Sequence, residues 1–401
     1  MKNIRKITED IVWIGASDRR LALFENAFPI PRGVSYNSYL INDDKTALMD
    51  TTDASVSEQF LENLKAALNG RKLDYLVINH MEPDHCATVG EILLRYPSVE
   101  VVGNAKTFQM LEQFFDAELP ENRRVVVKEG DQLSLGKHNL TFVMAPMVHW
   151  PEAMFSYDAT DKALFSADAF GTFGALNGNI FADEVEFERD WLPDARRYYT
   201  NIVGKYGNNV QAVLKKAAGI EISLILPLHG PVWRKDLAWL LDKYQKWSTY
   251  EAEEKGVAIL YSSMYGHTAS FADAMAGALA EKGIRNIAVY DVSATDISVL
   301  IAEIFRFNTI VLASVSYNAG IHPKMEALLS DMKALAVQNK KVAVVENGTW
   351  APSAQKCIRA ALEGMKNMEI IEPAITIRSS FKENQTSDFD ALCTAVADAA
   401  K

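Results

Sequence analysis

Cysteine is scarce in this chain, and the few cysteines do not form pairs. The 401 residues contain only Cys86, Cys357 and Cys393, and no two of them have C-x-x-C spacing. Disulfide scaffolds, iron–sulfur clusters and rubredoxin-type centres are therefore excluded. Cys86 follows a histidine, but we interpret it as an isolated buried thiol, which is the common case. This cysteine usage is typical of a reducing compartment, so we expect a cytoplasmic protein.

Long hydrophobic runs and an excess of positive charge are also absent. The longest apolar runs have the length of a strand, which predicts no transmembrane helix, and the N-terminal segment lacks the apolar stretch of a signal peptide. The net charge of -11 disfavours a nucleic-acid surface, because phosphate groups would be repelled. We therefore expect neither a membrane nor a nucleic acid among the partners.

A chain of 401 residues exceeds what one hydrophobic core usually organises, which predicts two domains. Up to about residue 250, apolar runs separated by turns predict strands, with helices such as residues 57–69 between them. Residues 244–254 are typical of a polar helical tail, with Gly256 as its C-cap. The strands predicted in this half span residues 46–49, 75–78, 99–102, 125–127, 140–144, 163–166 and 224–226.

From residue 257 onward, strands and helices alternate strictly. Because the strands are apolar along their whole length, they predict a parallel sheet covered by helices on both faces. The predicted strands span residues 257–261, 287–291, 309–313 and 342–345, and the predicted helices span 269–282, 297–304, 323–337 and 353–366.

The segment from His80 to His85 is the most informative part of the chain. It reads His-Met-Glu-Pro-Asp-His and follows an apolar run, so four potential metal ligands stand at the end of a predicted strand. In an extended chain, His80, Glu82 and Asp84 point the same way, and His85 points to the other side. Such a cluster favours two metal ions over one.

Three further potential ligands follow predicted strands in the first half: His149, Asp168 and His229. A single histidine after a strand is most often a hydrogen-bonded surface residue. However, this pattern uses four of the seven histidines, and the carboxylates and imidazoles of residues 80–85 would destabilise one another if buried without a cation. The sequence therefore predicts a metal site where these loops converge.

Polar loops follow three strands of the second half. The loop of residues 262–268 precedes a helix, and its hydroxyl and N–H groups are suited to a phosphate. It is neither a nucleoside-triphosphate loop nor a Rossmann glycine motif. With the loops of residues 314–320 and 346–352, it lies where a flavodoxin-like sheet binds FMN. Tyr317 and Trp350 offer aromatic faces for a ring, and Gly320 and Gly348 permit close backbone approach.

The metal motif resembles that of the metallo-β-lactamase superfamily, H-x-H-x-D-H followed by His, Asp and His. Glu82 replaces the second histidine, which is the hallmark of the flavodiiron proteins, and a carboxylate shifts preference from zinc toward iron. The resemblance implies one iron bound by His80, Glu82 and His149 and another bound by Asp84, His85 and His229. It also implies that Asp168 bridges the two.

The similarity to flavodiiron proteins covers essentially the whole chain. It implies an α/β protein with a metallo-β-lactamase-like αββα sandwich over residues 1–250 and a flavodoxin-like doubly wound parallel sheet over residues 256–401. The FMN site implied by the resemblance comprises Ser262, Met264, Tyr265, Gly266, His267, Thr268, Ser314, Ser316, Tyr317, Asn318, Ala319, Gly320, Asn347, Gly348, Thr349 and Trp350.

The resemblance implies an oxidoreductase that reduces dioxygen to water, nitric oxide to nitrous oxide, or both. Electrons would pass from rubredoxin or another small donor, such as a reduced deazaflavin, through FMN to the diiron site. Relatives form a head-to-tail homodimer that brings the FMN of one subunit to the irons of the other, and we expect this dimer, with a tetramer as a further assembly. Many relatives place a histidine near the irons where this chain has residues 23–26, Leu-Phe-Glu-Asn.

Two other functions fit parts of the sequence. A zinc hydrolase of the lactamase or glyoxalase type would share the pocket and use a metal-bound hydroxide, but Glu82 disfavours it. A plain electron carrier would bind FMN and use the first half only for docking partners.

Overall fold

The computed structural model of the protein describes residues 2–116 and 119–401. The chain forms two compact units. Unit 1 runs up to Tyr199 and resumes over Asn208–Tyr244, and unit 2 comprises Thr200–Gly207 and Gln245–Lys401. The predicted domain limits, 1–250 and 256–401, stay a prediction.

The first sheet of unit 1 has seven strands in the order β1-β2-β7-β8-β9-β10-β11. The pairs from β8 to β11 are parallel, and the others are antiparallel. Two short antiparallel pairs, β3–β6 and β4–β5, accompany it. The strands are β1 Arg5–Lys6, β2 Ile11–Trp13, β3 Ala16–Asp18, β4 Leu23–Phe24, β5 Phe28–Pro29, β6 Val34–Tyr36, β7 Tyr39–Asn42, β8 Thr46–Met49, β9 Tyr75–Val77, β10 Glu100–Gly103 and β11 Arg124–Val126.

The second sheet of unit 1 has the order β12-β13-β14-β15-β16. It is antiparallel except for β15 and β16, which run parallel with Phe165 opposite Leu226, so their carboxyl ends meet at one edge. The strands are β12 Gln132–Ser134, β13 Asn139–Met144, β14 Met154–Asp158, β15 Ala163–Phe165 and β16 Leu224–Leu226.

Helices cover the first sheet through a continuous apolar core. Leu48, Leu76 and Val101 of the sheet pack with Phe60 of α1 and Phe108 of α4 in one buried cluster. The α-helices up to residue 249 are α1 Ser57–Leu68, α2 Pro83–Cys86, α3 Val89–Arg95, α4 Ala105–Phe114, α5 Phe187–Asp190, α6 Leu192–Tyr198, α7 Gly207–Ala217 and α8 Leu237–Thr249. Short 3-10 turns span Ala54–Val56, Glu121–Arg123, Ala182–Glu184 and Gly204–Tyr206, and a π-helix spans Tyr199–Val203.

Unit 2 contains a parallel sheet of order β18-β17-β19-β21-β22, with β20 paired antiparallel to β19. This is the doubly wound order of flavodoxin-like folds. The strands are β17 Glu254–Tyr261, β18 Ile287–Asp291, β19 Phe307–Tyr317, β20 Gly320–Ile321, β21 Lys340–Asn347 and β22 Met368–Ile377. The helices are α9 His267–Glu281, α10 Ile297–Arg306, α11 Pro323–Ala334, α12 Ala354–Glu363 and α13 Thr386–Ala400, with a 3-10 turn at Glu383–Gln385.

Alternating side chains of the central strands enter different cores, as expected for a sheet covered on both faces. Val257 and Ile259 of β17 pack with Phe271 of α9 and Leu392 of α13. Together with the structural neighbours described below, these units confirm the predicted fold class.

The predicted helical tail over residues 244–254 is wrong at its C-terminal end. Helix α8 ends at Thr249, and Glu254 already begins β17. Gly256 is therefore not a helix C-cap, because it lies inside β17 at an irregularity of the pairing between Glu254 and Val257. A Cβ at this position would lie 2.3 Å from the Asn286 carbonyl oxygen, so close packing accounts for this glycine.

Candidate metal and cofactor sites

The end of strand β9 carries the His80–His85 segment into the interior. Asp50 fixes this end, because its Oδ1 accepts hydrogen bonds from the N–H groups of Asn79 at 2.7 Å and His80 at 3.1 Å. Burial raises the pKa of Asp50 to about 6, while the hydrogen bonds from Asn79 oppose that rise. His80 and His85 have no exposed surface. The segment is thus held rigidly at the edge of the sheet.

The expected alternation of His80, Glu82 and Asp84 is wrong at Asp84. Pro83 begins the short helix α2, so the chain is no longer extended after Glu82. As a result, Asp84 lies with His85 in one group of potential ligands, and His80 lies with Glu82 in another.

His149, Asp168 and His229 come from the second sheet. His149 lies in the connection from β13 to β14, and Asp168 and His229 follow β15 and β16. Hydrogen bonds join the ends of the two sheets: Met154 N–H donates to the Asn79 carbonyl at 3.0 Å, and Asn37 N–H donates to the Leu228 carbonyl at 2.7 Å. All seven predicted metal ligands therefore meet between the sheets.

The donor atoms form two groups, and Asp168, a member of the first, lies beside both. In the first group, Oδ2 of Asp168 lies 3.1 Å from Nε2 of His149 and 3.4 Å from Nε2 of His80. Oε2 of Glu82 lies 2.9 Å from Nε2 of His149. These three residues and Asp168 can approach a single ion together.

In the second group, Oδ2 of Asp84 lies 3.3 Å from Nε2 of His85 and 3.2 Å from Nε2 of His229. The other carboxylate oxygen of Asp168, Oδ1, lies 3.0 Å from Nε2 of His85 and 3.7 Å from Nε2 of His229. The two oxygens of one carboxylate thus face different groups.

The donor set fits a pair of cations. Both carboxylate oxygens of Asp84 and Oδ1 of Asp168 are buried and accept no hydrogen bond from any described residue. The Nε2 atoms of His85 and His229 face each other at 3.0 Å, where two lone pairs repel unless a proton or a metal lies near them. Donors bound to one ion at about 2.1 Å lie roughly 3 Å apart, which matches the separations in each group. The ligand assignment itself stays a prediction.

Two of the predicted histidine ligands form hydrogen bonds through Nδ1, the ring nitrogen that faces away from the proposed metal, and these bonds orient their rings. Nδ1 of His80 lies 2.8 Å from Oε1 of Glu152, which also accepts the Met81 N–H at 2.8 Å. Nδ1 of His229 donates to the Ser35 carbonyl at 2.7 Å. Such bonds fix the tautomer and leave Nε2 free for a metal. Sequence reasoning missed Glu152; the only signal was an acid three residues after His149.

The carboxylates dominate the electrostatics of this site. Burial alone would lower the pKa of His80, but the charge of Asp168 and hydrogen bonds to Asp168, Glu152 and Glu82 hold it well above its usual range. For His149, hydrogen bonds to Asp168 and Glu82 likewise outweigh burial and raise the pKa to about 9. The pocket therefore stabilises positive charge.

Aromatic side chains and one further acid surround the ligands. The rings of Phe24 and Tyr198 each lie 5.4 Å from that of His229, and the ring of Trp150 lies 5.5 Å from that of His80. The Tyr198 hydroxyl is buried and has no hydrogen-bond partner among the described residues. Burial, together with the nearby charge of Glu82, raises the pKa of Glu25 to about 8. The 23–26 segment thus contributes to the surroundings of this site.

Two further features do not belong to the predicted ligand set. Cys86 is buried, its Sγ lies 3.0 Å from the Met81 carbonyl, and burial raises its pKa to about 12, in line with its interpretation as a core thiol. A third group with metal-ligand spacing, His138, Asp158 and Asp161, was not predicted. Its imidazole is already paired through Nδ1 with Asp158 at 3.0 Å and through Nε2 with Asp10 at 3.1 Å.

In unit 2, a cavity of about 470 Å³ lies at the carboxyl ends of the strands. This volume is in the range of cofactor pockets. Tyr265 and Trp350 are 86% and 88% exposed at its rim, so they present aromatic faces to solvent. Of the predicted FMN residues, those in its wall are Met264, Tyr265, His267, Thr268, Ser316, Tyr317, Asn318, Ala319, Asn347, Gly348, Thr349 and Trp350.

Four predicted FMN residues are not part of this wall. Ser262 and Ser314 are fully buried and bond to each other through their hydroxyls at 2.9 Å. Gly266, with a φ of 90°, precedes helix α9, and Gly320 begins β20. Gly348 does lie in the wall, but a Cβ there would meet Pro352 at 2.7 Å, so the backbone of the protein itself requires glycine.

The wall also contains Ser263, Val315, Ala351 and Ser379, which were not predicted. The first three lie in or beside the predicted loops. Ser379 follows β22, a strand that was not predicted, and its carbonyl accepts a hydrogen bond from the side-chain amide of Asn347 at 2.9 Å. Residues 368–377 contain four isoleucines, which were the available signal, but Glu369, Glu372 and Pro373 interrupt the apolar pattern.

In the described part of the chain, no helix is long and apolar enough to cross a membrane.

Comparisons with known proteins agree on one family. The family described as ODP family beta lactamase matches residues 34–230. A nitric oxide reductase of Moorella thermoacetica is 34% identical over 93% of this chain and 92% of its own length. An anaerobic nitric oxide reductase flavorubredoxin of Aeromonas hydrophila subsp. hydrophila is 31% identical over 89% of this chain and 72% of its own length.

Two solved structures cover both units. Rubredoxin oxygen:oxidoreductase from the anaerobe Desulfovibrio gigas superposes with a TM-score of 0.92 at 26% identity, over 99% of this chain and 98% of its own. A mutant of the flavo di-iron protein from Thermotoga maritima superposes with a TM-score of 0.90 at 26% identity, over 100% of both chains. The chain is therefore a member of the flavodiiron protein family.

Proposed function

We propose that this protein is an oxidoreductase that reduces dioxygen to water, nitric oxide to nitrous oxide, or both, with two iron ions and FMN as cofactors. The observation that carries the proposal is the convergence of seven buried ligand side chains in two groups, with one Asp168 oxygen toward each. The similarity to a nitric oxide reductase and to a rubredoxin oxygen:oxidoreductase supports it.

In this proposal, His80, Glu82 and His149 hold one iron and Asp84, His85 and His229 hold the other, with Asp168 shared by both. When bound, the irons would supply open positions for a diatomic oxidant, and FMN would supply electrons singly or in pairs. Glu82 gives the first group a carboxylate where the zinc motif has an imidazole, which favours iron. A zinc hydrolase is disfavoured by this residue and by the reductase relatives.

In this proposal, the hydroxyl of Tyr198 is a hydrogen-bond donor beside the ligands. The ring of Tyr198 lies 5.4 Å from that of His229, and burial holds the pKa of its hydroxyl well above the usual range. A neutral hydroxyl that lacks a partner can donate a hydrogen bond to a ligand in the pocket. The surrounding aromatic rings exclude water, which strengthens that bond.

We further propose that FMN binds in the 470 Å³ cavity of unit 2. The N-terminus of α9, with Ser263 and Thr268 in the wall, is suited to the phosphate, and Tyr317 and Trp350 are suited to the ring. These 401 residues contain no C-x-x-C pair, and in this proposal rubredoxin or another small carrier supplies the electrons. A head-to-tail homodimer in the cytoplasm completes the proposal. A monomer with undiminished turnover at low concentration would count against this assembly.

The Asp168→Ala substitution tests the metal assignment. We expect this variant to retain FMN and to accept electrons from the donor, but to lose both irons or their turnover with either gas. The matched control is Asp161→Ala, an acid of the third group that should leave the iron content and turnover unchanged. If the Asp168 variant keeps full iron content and full gas turnover, the shared-carboxylate site is wrong.

A further inference from the structure

A second, small cavity lies in unit 1 against the loops that carry two predicted ligands. It measures about 20 Å³ and lies between the second sheet and helices α7 and α8. Val148, which is bonded directly to His149, lies in its wall, as do Ala169 and Phe170, which follow Asp168. Part of the cavity wall is thus formed by residues next to His149 and Asp168 in the chain.

The wall of this cavity offers nothing that holds water. Its side chains are aliphatic or aromatic, and the only polar group among them is the hydroxyl of Tyr244. That hydroxyl already accepts a hydrogen bond from the N–H of Phe170. A cavity without polar partners stays dry even when it is large enough for a water molecule, which needs roughly 10–15 Å³. Xenon is a small apolar guest that enters dry apolar cavities, the reference case measuring roughly 150 Å³.

Burial changes along the wall. Val148, Ala169 and Phe170 are 1%, 3% and 6% exposed, whereas Leu214, Ala217 and Leu241 are only half-buried. The wall thus combines fully buried residues beside the ligand loops with half-buried residues on α7 and α8.

We propose that this cavity binds one molecule of an apolar diatomic gas and delivers it to the metal ligands, an inference that rests on the proposed function. Dioxygen and nitric oxide share the relevant chemistry, because both are small, uncharged and weakly hydrated. An apolar binding space next to the ligand loops raises the local concentration of either gas without admitting water to the buried carboxylates.

Xenon tests the binding without any turnover. Crystals of the FMN- and iron-loaded protein under xenon pressure should show one xenon site among Val213, Phe170 and Leu214. Absence of xenon from this cavity overturns the proposal. If xenon binds and the wild-type protein reduces neither gas, the gas-binding site stands, but the proposed function and the delivery role both fail.

A filled cavity tests the delivery. Ala217 lies in the wall near the end of α7, and Ala217→Phe places a ring in the space. We expect xenon binding to be lost and the KM for the gas to rise several-fold, while kcat at saturating gas and flavin reduction by the donor stay unchanged. The matched control, Ala218→Phe, changes an exposed neighbour outside the wall and should behave as wild type. An unchanged KM for both gases in a folded Ala217→Phe variant that excludes xenon overturns the delivery role.

Discussion

His138 should make the stability of the protein depend on pH in the alkaline range. Its imidazole has no exposed surface and lies between two carboxylates, with Nδ1 3.0 Å from Asp158 and Nε2 3.1 Å from Asp10. The hydrogen bond to Asp158 is the main reason that the pKa rises from 6.5 to about 9, although burial opposes it. Only the protonated imidazole has an N–H group on each ring nitrogen and can donate a hydrogen bond to both carboxylates.

The sign and the size of the effect follow from this pKa. Below pH 6.5, the imidazole is protonated in the folded and the unfolded chain, so its full contribution to stability is present. As the pH rises through 9, the folded chain loses the proton and the contribution disappears. A pKa raised from 6.5 to about 9 corresponds to about 3 kcal/mol of the free energy of unfolding.

The assay is urea unfolding of the wild type and of His138→Asn between pH 5.5 and pH 9.5. Metal and flavin release affect both proteins alike, so the difference between their free energies of unfolding isolates this residue. We expect the difference to be constant in acid and to shrink by about 3 kcal/mol between pH 6.5 and pH 9. Asp158→Asn should remove most of the same pH dependence. A difference that is flat across this range, or that grows with pH, would refute the reasoning.

Three other predictions concern single side chains. Burial lowers the pKa of Lys340 to about 7, and its Nζ donates to the carbonyls of Phe305 and Phe307. An unfolded lysine stays protonated up to about pH 10.5, so the free energy of unfolding of the wild type should rise relative to that of Lys340→Met between pH 7 and pH 10.5. Denaturant titrations in which the wild type instead loses stability relative to the variant over this range would contradict the prediction. Glu152→Gln should weaken iron binding about 10–100-fold in a chelator competition, whereas Glu129→Gln, at an exposed ion pair with Lys216, should not. Tyr198→Phe should keep both cofactors and lower kcat about 100–1,000-fold with little change in KM, and an unchanged kcat would remove Tyr198 as a hydrogen-bond donor in the reaction.

Much of the fold could be predicted because its signals are local. Strand β8 spans Thr46–Met49 and β18 spans Ile287–Asp291, as predicted from their apolar runs. The predicted helix over residues 244–254 was wrong because its polar residues are compatible with both a helix and the first residues of a strand. A glycine after such a segment, here Gly256, also suggests a helix C-cap. Its real constraint, the Asn286 carbonyl, comes from a residue 30 positions away and has no local signal.

In the candidate metal site, too, locally encoded features could be predicted, whereas contacts between distant residues could not. The composition of residues 80–85 was enough to predict a metal site. The family resemblance correctly placed Asp84 with His85, whereas the alternation expected for an extended strand did not. Glu152, Tyr198 and Glu25 were missed or left without a role because their contacts with the ligands are made only when two sheets meet. For the flavin cavity, Ser379 was missed with the strand that carries it.

The most direct test of the proposed function is anaerobic turnover. Protein loaded with two irons and FMN, and reduced through a rubredoxin, is mixed separately with dioxygen and with nitric oxide while flavin and iron reoxidation are followed. The proposal predicts rapid multiple turnover with at least one gas, with water or nitrous oxide as the product. Turnover with neither gas, in protein shown to contain both irons, would contradict the reductase and restore the hydrolase as the leading alternative.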